Sequence, residues 1–240
     1  MMDARETVAS AEEYLRGFDR LVVVAPHPDD DVLGCGGTLA AAAAIGLAAV
    51  VVYVTDGSAS HVGSAAYPPA RLREVREREA RAALTALGIT TEPRFLRIAD
   101  GTVADLDANE NDAVVAAIAD ATNASANALM MGPWLRDHHA DHVAVASLVR
   151  RACAQRPGMT LLEYAIWLDE LGSEADRPRA GEAVEVTLDV GAHVAAKAEA
   201  LAEHRSQLGT LITDAKPAFV LPPRLIASAG QRCERFLRIL

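Results

Sequence analysis

Two short segments concentrate the side chains that could do chemistry. Pro26-His27-Pro28-Asp29-Asp30-Asp31 packs one imidazole and three carboxylates together, and Asp137-His138-His139-Ala140-Asp141-His142 packs three imidazoles with two carboxylates. Imidazole and carboxylate are the donors that a borderline divalent cation such as Zn²⁺ takes. One aspartate in the first segment would serve as a helix cap. Three in a row beside a histidine repel one another unless a cation or a proton sits among them. The two prolines stiffen that turn, so its donors are held at little ordering cost. His139 and His142 stand three apart, on neighbouring faces of a first helical turn.

The elements around these segments place both at the same end of a sheet. Residues 21–25 are a continuous apolar, β-branched run stopped by Pro26, which predicts a buried parallel strand. A loop bearing Gly34, Gly36 and Gly37 is expected next, then a helix over 38–44 stopped at Gly46. Residues 48–55 read as a second buried strand. Residues 58–70 read as a polar loop over the sheet edge, and 70–87 as a long helix capped by Gly88. Strands are expected at 94–98, 128–131 and 161–167, and helices at 110–122, 141–154 and 190–208. The run 183–188 alternates like an edge or antiparallel strand. The last thirty residues, with Pro217, Pro222 and Pro223, end in an expected short helical tail. No repeat or linker divides the 240 residues, which predicts one domain. Strand and helix alternate, so the expected fold is α/β, a Rossmann-like, mostly parallel sheet with helices on both faces. In such sheets ligands bind outside the carboxyl ends of the strands, where both donor segments fall.

Composition narrows the partners. A formal net charge of −10 repels phosphate backbones and argues against nucleic acid. The arginine-rich run 71–81 is interleaved with Glu74, Glu77 and Glu79 and reads as a salt-bridged helix face. Cys35, Cys153 and Cys233 form no framework, which fits a reducing cytoplasm. Met1 to Arg20 has no apolar core, so no signal peptide is expected. The longest apolar stretch, 39–54, reads as helix then strand, not as a membrane span. The alanine-rich helices leave open whether they pack inward or against a second copy in a homo-oligomer.

The chain resembles the LmbE-like, or PIG-L, N-acetylglucosaminyl deacetylases. The resemblance rests on Pro26-His27-Pro28-Asp29-Asp30, on Gly34-Cys35-Gly36-Gly37-Thr38 and on Thr55-Asp56-Gly57. It continues through Arg76-x-x-Glu79, Leu87-Gly88 and His139-x-Asp141-His142, and through Lys197 to Leu201 with His204-Arg-Ser206-Gln207, over roughly residues 20–210. It implies a Zn²⁺ ion, or Fe²⁺, on His27, Asp30 and His142, with a position open for water. Asp29 would be the general base. His139, steadied by Asp141, would stabilise the oxyanion or protonate the leaving amine. Arg76 would contact sugar hydroxyls, and His204 would stand on the pocket wall. The implied reaction removes an N-acetyl or other N-acyl group from a small-molecule amino sugar or its glycoconjugate. Two departures stand out: Asp31 where the family has glutamate, and Ala140 where it has proline. Two other readings compete. Asp137-His138-His139 spells the motif of two-metal DHH phosphoesterases, and Asp31 and Ala140 motivate a non-catalytic sugar-binding relative.

Overall fold

Strands buried on both faces need unbroken apolar runs, and the centre of the chain's sheet has them. The computed structural model describes residues 6–7, 10–156, 158–216 and 218–240. Part of the Met1 to Arg20 stretch and Pro217 lie outside the described residues. One sheet contains β1 (Glu6–Thr7), β2 (Arg20–Ala25), β3 (Ala48–Thr55), β4 (Arg94–Ile98), β5 (Ala128–Pro133), β6 (Thr160–Tyr164), β7 (Ala183–Asp189) and β8 (Cys233–Ile239). Their order is β1-β7-β8-β6-β5-β2-β3-β4. All pairings are parallel except those of β8, which runs antiparallel to β6 and β7.

Alternate residues of the central strands feed two cores. Leu21, Val23 and Ala25 of β2 face α1 (Ala11–Leu15), α2 (Asp30–Ala44), α3 (Pro69–Ala86), α6 (Val194–Glu203) and α7 (Pro223–Ser228). Val22 and Val24 face α4 (Ala108–Ala121) and α5 (Ala140–Ala154). The chain is therefore a single α/β domain with helices on both faces. β2 pairs with β3 on one side and β5 on the other, so the strand order reverses between β2 and β5. The two donor segments follow β2 and β5 and meet at that switch point. No helix among the described residues is long and apolar enough to cross a membrane.

Two expectations need correction. Gly34, Gly36 and Gly37 form no loop; they lie inside α2. A Cβ on Gly34 would stand 2.5 Å from Tyr164 Cδ2, and one on Gly37 would stand 2.6 Å from Val190 Cβ. The glycines serve close approach between α2 and its neighbours, not a turn. The expected short helical tail is present only as α7, and the chain does not end in it. After α7, residues 233–239 form β8, whose Phe236 faces the core while Glu234 reaches back into α2. The alternating run 183–188 is correctly a strand with an antiparallel neighbour, though it lies inside the sheet and not at its edge. The helix expected over 190–208 is shorter, preceded by a 3₁₀ turn at Gly191–His193.

Candidate active site

The two donor segments reach their positions through helix starts. Asp30 and Asp31 occupy the first turn of α2, where the helix dipole favours carboxylates. Asp29 precedes them at φ 144° and ψ −25°, a conformation that costs a non-glycine residue about 1–3 kcal/mol. At α5, His139 is the N-cap: its Nδ1 accepts the Asp141 amide N–H at 3.2 Å. Asp141 and His142 follow in the first turn.

These starts bring His27, Asp30 and His142 to one buried point. Asp30 Oδ2 lies 3.1 Å from His27 Nδ1 and 3.1 Å from His142 Nε2. Two ligands held at 2.0–2.1 Å by a tetrahedral ion stand roughly 3.3 Å apart, so these spacings suit donors of one shared cation. Each imidazole is oriented by a carboxylate on its far nitrogen. His142 Nδ1–H donates to Asp137 Oδ2 at 2.7 Å. His27 Nε2 lies 3.2 Å from Asp141 Oδ2 and 3.3 Å from Asp100 Oδ1. Such carboxylate–histidine pairs fix the tautomer of a metal ligand.

The orienting carboxylates are themselves held by backbone. Asp137 accepts amides from Ile166 and Trp167, past the end of β6. Asp141 accepts amides from Gly101 and Val103, past the end of β4. His142 Nε2 is the atom this arrangement leaves over: it is buried and has no hydrogen bond. With Nδ1–H committed to Asp137, the neutral ring aims a lone pair at the Asp30 carboxylate. That contact is repulsive unless a cation or a proton lies in it, and the donor set therefore fits a divalent ion. Ring nitrogens of His27, His139 and His142 lie within 4.8 Å of one another, as do donor atoms of His27, Asp100 and Asp141. In the second group both Asp141 oxygens already serve backbone amides, so it orients His27 and offers less to an ion.

The electrostatics follow from burial and these partners. Burial opposes the charge on His142, but the negative charge of Asp30 and the hydrogen bond to Asp137 raise its pKa to about 9. Burial equally opposes the charge on His27, and Asp100, Asp141 and Asp30 lift it well above the usual histidine range. His142 and His27 hold Asp30 well below the usual carboxylate range in spite of its burial. Burial pushes Asp29 up to about 7, aided by Asp30 and opposed by the Arg76 guanidinium. Burial and the positive neighbours His27 and His142 keep His139 below the usual histidine value.

A cavity of about 350 Å³ opens onto this cluster. Its lining combines the polar His27, Asp29, Asp30, Arg76, Asp100 and His139 with the apolar Leu33, Trp167, Phe219 and Leu221. Arg76 stands at the wall with its terminal nitrogens committed to the protein. Nη2 reaches Asp29 Oδ1 at 3.0 Å and Pro28 O at 2.7 Å, and Nη1 reaches Gly57 O at 3.0 Å. It holds Asp29 in place and lines the cavity into which the expected contact to sugar hydroxyls would reach. His204 is fully buried and stands outside the cavity lining, so it is not the wall residue expected of it. Gln207, three residues on, lines the cavity in its place. The expected support of His139 by Asp141 runs through the Asp141 amide, while the Asp141 carboxylate serves His27. Asp31 is wholly buried and accepts the Tyr53 hydroxyl at 2.8 Å, with Oδ1 left unpartnered. Cys35 is buried, and burial pushes its thiol pKa well up, so it is no nucleophile.

A family model described as GlcNAc-PI de-N-acetylase (PIG-L) matches residues 22–153. The chain belongs to the PIG-L family. Among solved structures this PIG-L chain is similar to a deacetylase of the teicoplanin biosynthesis pathway, at 21% identity and TM-score 0.66 over 92% of this chain and 98% of that one. A conserved protein from Thermus thermophilus matches at 25% identity and TM-score 0.63, covering 91% of this chain and 93% of that one. The N,N'-diacetylchitobiose deacetylase of Pyrococcus horikoshii matches at 18% identity and TM-score 0.62, over 97% of this chain and 87% of that one. Likeness to the two named deacetylases is at a level that establishes the fold alone. No curated protein matches the chain. Family membership does not favour the phosphoesterase reading. The structure also splits its motif: Asp137 is buried against His142, while His138 is exposed.

Proposed function

We propose that the chain is a divalent-metal-dependent N-deacetylase acting on an N-acetylated amino sugar or its conjugate. The observation that carries this reading is the convergence of His27, Asp30 and His142 on one buried point, with His142 Nε2 left without a hydrogen bond. These three would hold the ion. Zn²⁺ suits two imidazoles and a carboxylate, and Fe²⁺ takes the same set. When bound, such an ion lowers a water's pKa to about 7 and polarises an acyl carbonyl. The family's description and the names of the two deacetylases support an acetylated sugar as substrate.

The chain's own residues divide the remaining work. Asp29, buried and held by Arg76, takes a proton from the attacking water. A base whose pKa lies near the working pH is efficient at that transfer. His139 has its Nδ1 occupied by an amide N–H, so the neutral ring carries its proton on Nε2. That N–H can donate to the carbonyl oxygen as negative charge develops there. This favours the oxyanion role for His139 over the acid role. Asp29 then hands its proton to the leaving nitrogen, and acetate and the free amine depart. Asp141 and Asp137 act through His27 and His142 as positioning residues. Trp167 and Phe219, 6.4 Å apart and near perpendicular, form an apolar corner for the C–H face of a sugar ring. The three free cysteines support a reducing, cytoplasmic setting.

Acetate release from N-acetylglucosamine, N,N'-diacetylchitobiose and an N-acetylated glycopeptide tests the reading. We expect release from at least one, abolished by chelation and restored by Zn²⁺ or Fe²⁺. Release from none would overturn the amino-sugar assignment. Release indifferent to chelation would overturn the metal dependence.

A further inference from the structure

Gln207 lies on the cavity wall with its side-chain amide fixed in one orientation. Its Nε2 donates to Ser206 Oγ at 2.8 Å and to Ser60 Oγ at 3.3 Å. A side-chain amide could in principle turn and exchange its donor and acceptor ends. Here it cannot do so without loss, because the Ser206 hydroxyl proton is already spent. Ser206 Oγ donates to Glu79 Oε2 at 2.6 Å, and the Ser206 amide donates to Glu79 Oε1 at 2.8 Å. Ser206 Oγ can therefore only accept from Gln207. The other amide end, Oε1, takes no donor from the described residues and is not among the occluded unpartnered atoms. Gln207 is 1% exposed, and it is the cavity that it faces.

We propose that Gln207 is a specificity residue whose Oε1 is a committed acceptor for one hydroxyl of the substrate. The relay from Glu79 through Ser206 sets its polarity. A hydroxyl facing it must donate, and a group that can only accept is repelled. A site built to bond a donor rejects an analogue lacking it more strongly than an apolar pocket rejects a change of size. Ser60 belongs to the loop between β3 and α3, so that loop takes part in the selection. This inference rests on the amino-sugar reading and names the substrate feature that the site reads.

Calorimetry with glucosamine, the deacetylated product, and with its singly deoxyfluorinated analogues tests it. Fluorine keeps the acceptor and deletes the donor. We expect one analogue to bind the wild-type protein at least about five-fold more weakly than glucosamine. That difference should vanish in Gln207→Leu and persist in Gln207→Glu, whose carboxylate is an acceptor either way round. It should shrink in Ser206→Ala, which frees the amide to turn. Thermal melts establish that each variant is folded, and the Gln207→Glu and Ser206→Ala arms stand if Gln207→Leu is not. Equal penalties in wild type and Gln207→Leu, or undiminished discrimination in Ser206→Ala, would overturn the proposal while leaving the amino-sugar reading intact. Failure of glucosamine to bind any of these proteins would overturn that reading and this one with it.

Discussion

Replacing Asp137 by asparagine should weaken metal binding without unfolding the protein. Asp137 accepts four hydrogen bonds: Oδ2 from His142 Nδ1–H at 2.7 Å and from the Ile166 amide at 3.2 Å, Oδ1 from the Trp167 amide at 2.8 Å and the His138 amide at 3.2 Å. Asparagine offers one acceptor oxygen and one donor group in that space. If its oxygen stays with the Trp167 and His138 amides, its NH₂ faces the Ile166 amide and His142 Nδ1, and Nδ1 must give up its proton. The imidazole then carries hydrogen on Nε2 and can no longer ligate. If the amide turns the other way, His142 keeps its tautomer, but the Trp167 and His138 backbone N–H groups are left facing a donor. Either outcome removes the orienting partner of one ligand, which typically costs 10–100-fold in metal affinity, or about 1.4–2.7 kcal/mol. The assay is competition for Zn²⁺ against a chromophoric chelator, with circular dichroism to establish folding. A folded Asp137→Asn protein that binds Zn²⁺ as tightly as wild type would refute the assignment of His142 as a ligand oriented by Asp137.

Other predictions follow from the same geometry. Asp29→Asn should lower kcat by roughly 10²–10⁴ while leaving metal content unchanged, which acetate release and elemental analysis would report together. Asp29 must be ionised to act, so the rate should rise with pH along a limb at or below about 7, since a cation beside it favours the charged form; a flat profile in the wild-type enzyme would argue against Asp29 as the base. Burial lifts Asp31 from an ordinary 3.8 to about 7, so the folded state holds that proton more tightly than the unfolded state and loses stability as pH rises across that interval. Asp31→Asn should therefore raise the unfolding free energy more at pH 8 than at pH 5, by no more than a few kcal/mol, with Tm moving in the same sense; an advantage that grows towards acid would contradict the assignment. Alanine for glycine inside a helix ordinarily stabilises by about 1 kcal/mol. At Gly37 the new Cβ meets Val190 Cβ at 2.6 Å, so urea unfolding should show a net destabilisation of roughly 1–2 kcal/mol.

What could be read from the sequence was local. The buried strands β2, β3 and β5 and the helix α3 announce themselves through apolar runs and glycine or proline stops, and the two donor segments stand where β2 and β5 end. What escaped was set by partners distant along the chain. Gly34, Gly36 and Gly37 look like a loop because nothing in sequence shows Tyr164, Lys197 and Val190 pressed against them. β8 is short and rich in charge, and it becomes a strand because β6 and β7 leave a slot that its backbone fills. Asp137 was visible as a flanking acid. Its role depends on amides from Ile166 and Trp167, some thirty residues away. Asp100 carried no local signal, since it joins His27 only after β4 has paired with β3. Arg76 and Glu79 sit in a charged helical run that looks solvated. Their burial follows from the packing of α3 beside Asp29 and Ser206. Of that run, the pair of Glu77 with Arg81 is an i,i+4 ion pair of the kind expected from its charge pattern, although Glu77 is itself buried.

The central claim is that one ion on His27, Asp30 and His142 drives deacetylation. The most direct measurement is metal content per chain beside acetate release from an N-acetylated amino sugar, for the wild-type protein and for His142→Ala purified identically. The account predicts about one Zn²⁺ or Fe²⁺ per wild-type chain together with acetate release, and the loss of both in the folded variant. Metal retained in full by His142→Ala, or acetate released by wild-type protein stripped of metal, would contradict it.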